Sequence, residues 1–178
     1  MISGGRIDES QAFQPVRIAV LTVSDTRTPA DDRSGDLLAD RIAEAGHVLA
    51  DRAIVADDQA SIVARLVAWI DGGAVDAIIS TGGTGLTGRD VSVEAHRQIY
   101  EKEIDGFAAL FHLISAQKIG TSTMQSRACA GVADGVYLFA LPGSPNACKD
   151  GWDGILRFQL DIRHRPCNLV EIMPRLCE

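Results

Sequence analysis

Val16-Arg-Ile-Ala-Val-Leu-Thr-Val23 is almost wholly apolar and rich in β-branched side chains. A strand with one wet face alternates polar and apolar residues. A near-continuous apolar run is instead the mark of a strand covered on both faces, the environment of a parallel sheet. Two further runs of this kind follow, over Ala74 to Ser80 and Val136 to Leu141, and His47 to Val55 reads as another strand. Helical stripes separate them. Leu37, Leu38, Ile42 and Ala45 share one face with the long-stemmed Arg41 in a helix that Ser34 can cap and Gly46 stops. Ile62, Val63, Leu66, Val67 and Ile70 form a second stripe, closed by Asp71-Gly-Gly73. Alternating strand and helix predict a largely parallel sheet with helices on both faces.

Downstream, Ser92 can cap a helix over Val93 to about Tyr100, with no strand expected before Asp105. Gly106 to Gln117 reads as a helix burying Phe107, Leu110, Phe111 and Ile114. Thr121-Ser-Thr123 predicts a short helix through about Ala130. A last helix carries Trp152, Ile155, Leu156 and Leu160, and Arg163 to Glu178 reads as irregular or edge structure. Residues 1–14 are expected to form a flexible or loosely docked arm, and 15–178 a single domain. A chain of 178 residues suits one domain. It can bury roughly 70% of its unfolded surface and needs no metal or disulfide staple.

In an open α/β sheet, ligands bind beyond the carboxyl ends of the strands. Here those ends carry the polar and glycine-rich residues. They are Ser24-Asp25-Thr26-Arg27, Asp57-Asp58, Thr81-Gly82-Gly83-Thr84-Gly85 and Pro142-Gly143-Ser144. Parallel strands would open all four loops on one edge. Glycines admit positive φ and let backbone N–H groups approach a ligand. Thr81 and Thr84 add hydroxyl donors, Arg89 can pair with a phosphate, and Asp90 can hold magnesium. The segment Thr81 to Asp90 is therefore read as a site for a phosphorylated small molecule.

Two familiar fingerprints are excluded. Gly83-x-Gly85-x-x-Gly88 matches a dinucleotide pattern, but no helix starts inside the glycine run. A phosphate-binding P-loop would continue from Gly88 with Lys and Ser or Thr, where this chain has Arg89 and Asp90. The net charge of −7 argues against nucleic acid as a partner. No apolar stretch approaches the ~20 residues of a membrane span, and Met1 to Gln14 is polar with no apolar core, so no signal peptide is expected. Cys129, Cys148, Cys167 and Cys177 lack zinc spacing and fit reduced thiols in a cytoplasmic protein.

The stretch Ser80-Thr-Gly-Gly-Thr-Gly-Leu-Thr-Gly-Arg-Asp-Val-Ser-Val-Glu-Ala95 closely resembles the molybdenum cofactor biosynthesis family of molybdopterin adenylyltransferases and the MoaB and MogA proteins. The order of Thr22-Val-Ser-Asp25, Ile54-Val-Ala-Asp-Asp58 and Leu141-Pro-Gly-Ser144 matches as well. Gly120 to Ala128 and Arg165-Pro-Cys-Asn168 look most like the MoaB branch, and the similarity spans roughly residues 16–168. The resemblance implies a three-layer α/β/α fold with a mostly parallel central sheet, assembled as trimers or hexamers. It implies adenylylation of the molybdopterin phosphate with Mg-ATP, releasing pyrophosphate, with ATP and molybdopterin as substrates and no tightly bound cofactor. Other proteins of the same pathway are implied partners. By the same resemblance Asp57 and Asp90 are the catalytic and metal-holding carboxylates, and Ser115 matches a serine lining the pterin site. Ser24, Asp25, Thr81, Gly82, Gly83, Thr84, Gly85, Arg89, Pro142, Gly143 and Ser144 complete the expected binding set.

Plainer roles stand beside these. Asp57 could cap the helix after it, Gly143 and Ser144 could be turn residues, and Arg27 and Arg127 read better as structural ion pairs. The alternative function is a protein that binds molybdopterin, or a nucleotide such as GTP, without efficient transfer.

Overall fold

The computed structural model describes residues 5–178. A short strand β1 (Arg6–Ile7) precedes the first core strand, β2 (Arg17–Val23), which leads to helix α1 (Arg33–Glu44). Then come β3 (Val48–Val55), α2 (Gln59–Asp71) and β4 (Ala77–Thr81). After the glycine segment lie α3 (Ser92–Ile99), β5 (Lys102–Glu103), α4 (Asp105–Ile119) and a 3-10 turn over Gly120–Gln125. Strands β6 (Cys129–Ala133) and β7 (Val136–Leu141) complete the sheet. Helix α5 (Pro145–Gly151) runs through a π turn (Trp152–Leu156) into α6 (Arg157–Gln159), followed by β8 (His164–Arg165) and α7 (Leu169–Ile172).

The six-stranded sheet has the order β3-β2-β4-β7-β6-β5. Strands β3, β2, β4 and β7 are mutually parallel, and β6 runs antiparallel to β7. Alternate residues of each central strand enter different cores, because successive side chains leave a strand on opposite faces. Ile18, Val20, Ala77, Ile79, Tyr137 and Phe139 join one core with Leu38, Ile42, Phe107, Phe111, Trp152 and Leu156. Leu21, Val23, Ile78 and Leu138 join the other with Ile62, Leu66, Trp69 and Ala95. The continuous apolar runs are therefore the two linings of a three-layer α/β/α stack.

Several boundaries differ from expectation. Asp32, not Ser34, caps α1 by accepting from the Gly35 N–H at 3.0 Å. The predicted short helix through Ala130 is a 3-10 turn followed by a strand. Cys129-Ala-Gly-Val-Ala133 carries little bulk, so its strand character is weak in the sequence. Asp134 (φ 44°) and Gly135 (φ 75°) form the two-residue turn to β7, the pairing that hairpins favour. The short strand β5 also precedes Asp105 and pairs antiparallel with β6. Residues 1–4 of the expected arm lie outside the described residues. The rest is docked rather than loose: β1 pairs with β8, and Phe13 packs on His47 with ring centroids 5.1 Å apart. The tail likewise holds β8 and α7. Among the described residues, no helix is long and apolar enough to cross a membrane.

Candidate functional site

Because β2, β3, β4 and β7 are parallel, their carboxyl ends bring Ser24, Asp57, Gly82 and Gly143 to one edge. Glycines let the chains press together there. A β-carbon on Gly82 (φ +100°) would land on the Val23 carbonyl oxygen. One on Gly143 would stand 3.1 Å from the Gly82 Cα. At Gly83 (φ +63°) it would lie 2.5 Å from Ser92 Oγ and 3.0 Å from Asp57 Oδ1, and at Gly85 2.7 Å from Asp90 Oδ2. Both expected catalytic carboxylates thus rest against bare backbone of the glycine loop. Among the described residues, the Gly83 and Thr84 amides make no hydrogen bond to a backbone carbonyl.

Asp57 does not cap α2. That role falls to Asp58, whose carboxylate accepts from the Ser61 N–H at 2.8 Å. Asp57 instead accepts from the Asp25 N–H at 3.0 Å, and Asp25 accepts from the Asp57 N–H at 3.0 Å. Burial pushes the Asp57 carboxyl above its ordinary value, and the charges of Asp25 and Asp90 push the same way against the Asp25 amide and Arg89. Asp25 is held low, chiefly by its ion pair with the Arg89 guanidinium. Asp90 is also held low, first by the Thr87 hydroxyl at 2.6 Å and then by loop amides. The edge therefore gathers three carboxylates in unlike environments, two held low and one raised, although among the described residues no group of three or more His, Cys, Asp or Glu side chains is placed to hold a metal ion by itself.

Other expected binders are occupied by their own loops. The Thr81 side chain offers no free donor, because it is 1% exposed and its hydroxyl donates to the Pro142 carbonyl at 3.0 Å. Thr84 is buried too. Ser24 Oγ accepts from the Thr26 and Arg27 amides at 3.2 Å. Ser144 Oγ caps α5 by accepting from the Ala147 N–H at 3.1 Å, and the Gly143 carbonyl accepts from the Ser34 hydroxyl. Ser115 is buried on α4, outside the four loops. Ser92 is no side-chain cap. Its hydroxyl donates to the Gly82 carbonyl at 2.7 Å and its amide to Gly83, so it anchors the loop.

Sequence reasoning missed the support beneath the edge. Asp32 is wholly buried and accepts from the Thr22 hydroxyl at 2.7 Å and from Arg52 at 2.8 Å. The one legible signal was an Asp placed to cap a helix. Arg127, read as a structural ion pair, does pair with Glu94, and it also bonds three carbonyls of the glycine segment.

Residues 19–162 match the family model described as a probable molybdopterin binding domain. The chain belongs to the MoaB/MogA family of molybdenum cofactor biosynthesis proteins. It is similar to molybdenum cofactor biosynthesis protein B of Escherichia coli (strain K12), 48% identical over 159 residues that cover 89% of this chain and 94% of that protein. It superposes on a crystal structure of molybdenum cofactor biosynthesis protein B with a TM-score of 0.84 at 38% identity, covering 93% of this chain and 98% of that one. A tungsten cofactor synthesizing protein MoaB from Pyrococcus furiosus superposes with a TM-score of 0.77 at 30% identity, over 94% and 100% of the two chains. This MoaB/MogA-family chain accordingly has a role in molybdenum cofactor biosynthesis.

Proposed function

We propose that this MoaB/MogA-family chain transfers the adenylyl group of Mg-ATP to the terminal phosphate of molybdopterin. The observation that carries the reading is the seating of Asp57 and Asp90 against the same glycine loop. In the reaction a phosphate oxygen of the pterin attacks the α-phosphorus of ATP. The bond from that phosphorus to the bridging oxygen breaks, and pyrophosphate leaves with the electron pair. Both partners are anions, so the chain must offset repulsion and supply no nucleophile of its own. The Gly83 and Thr84 amides, which no backbone carbonyl accepts, suit phosphate oxygens. The donor set suits magnesium, which takes one or two carboxylates together with phosphate oxygens. Burial and the neighbouring carboxylates disfavour the bare charge on Asp57, and a cation beside it would offset that. Magnesium, bound with the nucleotide, would supply charge stabilisation at the phosphates.

Arg89 gives the binder reading its one structural support, since its guanidinium is engaged by Asp25 rather than presented to a ligand. Pyrophosphate release separates the two. Release that requires both molybdopterin and magnesium supports transfer. Binding of the pterin without release in any nucleotide supports a binder. With the enzyme reading we also propose a homotrimer or hexamer. Leu110, expected in the buried face of α4, is instead exposed there with Leu113 and Ile119, and a second copy would cover them. Light scattering should then give a mass of three or six chains, and a monomer would contradict it.

A further inference from the structure

We propose that Arg127 is a positioning residue for this site, a guanidinium staple that sets the direction of the glycine loop's peptide groups and the place of Asp90. The inference rests on the phosphate-site reading above. Arg127 follows the 3-10 turn, and its backbone N–H donates to the Thr84 carbonyl at 3.0 Å. Its Nε donates to the Thr84 carbonyl at 3.2 Å and the Gly85 carbonyl at 3.1 Å. Its Nη2 donates to the Asp90 carbonyl at 3.0 Å. The far side of the guanidinium is gripped by both oxygens of Glu94, in the first turn of α3. One planar fork therefore joins the middle of the loop, its end and the helix behind it.

The consequence follows from peptide geometry. A peptide group is planar and trans, so its C=O and N–H point in opposite directions. Holding the Thr84 and Gly85 carbonyls toward Arg127 turns the Gly85 and Leu86 amides away from it. The Gly85 amide then faces the Asp90 carboxylate, which it helps to hold low. Glycines make this necessary as well as possible, because a loop with such freedom has no preferred direction of its own. An anion needs amides, not carbonyl oxygens, facing it. Lysine cannot replace the fork. It is a point charge on a flexible stem and cannot span three carbonyls in fixed directions.

The test uses the full chain with Arg127→Lys and, as a milder change, Glu94→Gln. Hydrogen exchange across residues 82–91 and the kinetics of pyrophosphate release with Mg-ATP and molybdopterin are read beside thermal melts. For Arg127→Lys, faster exchange at Gly85 and Leu86 is expected, with kcat lower by about a hundredfold, the scale of loss from misplaced groups. Glu94→Gln should shift the same two readouts less. A merely structural role would lower the melting temperature alone. Wild-type exchange in the loop together with unchanged kcat and KM in a folded Arg127→Lys would overturn the proposal. If that variant does not fold, Glu94→Gln decides by the same readouts. If the wild type itself releases no pyrophosphate, the adenylyl-transfer reading falls, and loop exchange alone decides the role of Arg127.

Discussion

Asp25, Asp57 and Asp90 share one edge of the sheet but not one environment. Asp25 and Asp90 are held low by an arginine and by a hydroxyl with amides, whereas burial raises Asp57. A carboxyl raised on folding is a cost to the fold at neutral pH, where it is ionised, and the cost disappears as pH falls. Asp57→Asn should therefore melt at or above the wild-type temperature at pH 7, while transfer falls on the order of a hundredfold or more. A lower melting temperature with transfer intact would show Asp57 to be structural. His96 has the opposite sign. Burial lowers it to about 4, and its ring joins the Ser92 carbonyl at 2.7 Å to the Ser80 hydroxyl at 2.9 Å. Nδ1 donates to that carbonyl, so Nε2 accepts from Ser80. The neutral ring's contribution is whole above pH 6.5 and is lost as pH falls toward 4, a loss of roughly 3 kcal/mol. Urea unfolding at stepped pH should show that decline in the wild type and a flatter one in His96→Gln.

At the scale of the element, the glycine loop is specified by what its residues would strike. Gly82→Ala should cost about 3 kcal/mol or more, because it strains a positive φ and drives a β-carbon into backbone. Gly88→Ala, with nothing within 4 Å, should stay within about 0.5 kcal/mol. Denaturant midpoints distinguish the two, and equal midpoints would contradict the geometry. This loop was legible because glycine runs and continuous apolar strands are local signals. Strand β6 was not, because Ala, Gly and Cys carry little strand preference, and the Asp134-Gly135 turn is seen as a hairpin only where β6 pairs with β7. Its Gly131 is needed where the Tyr100 ring lies against the strand. The fates of Thr81 and Ser144 were illegible for another reason. A hydroxyl at a loop can serve a ligand or its own backbone, and only the folded register decides.

Across the whole molecule, the edge is held by contacts between residues far apart in sequence. Arg52 on β3 reaches buried Asp32 at the head of α1, and Thr22 on β2 completes the group. No spacing rule exposes such a trio. Burial works against the Asp32 charge, yet Arg52, Thr22 and the Gly35 amide outweigh it and hold the carboxyl low. Arg52→Met should leave that charge unpaired and cost about 3–5 kcal/mol at neutral pH. The deficit should shrink in acid as Asp32 takes a proton, which chemical denaturation at two pH values checks. The parallel sheet and the gathering of its four loops at one edge followed from patterns along the chain, whereas the different environments of the carboxylates there needed the fold. The central claim is that this edge joins an adenylyl group to a pterin phosphate. It is tested most directly by incubating wild type and Asp57→Asn with Mg-ATP and molybdopterin and weighing the products by mass spectrometry. Adenylylated molybdopterin with wild type, and a yield lower on the order of a hundredfold or more with Asp57→Asn, is the predicted result. Unmodified molybdopterin bound equally by both proteins would contradict it.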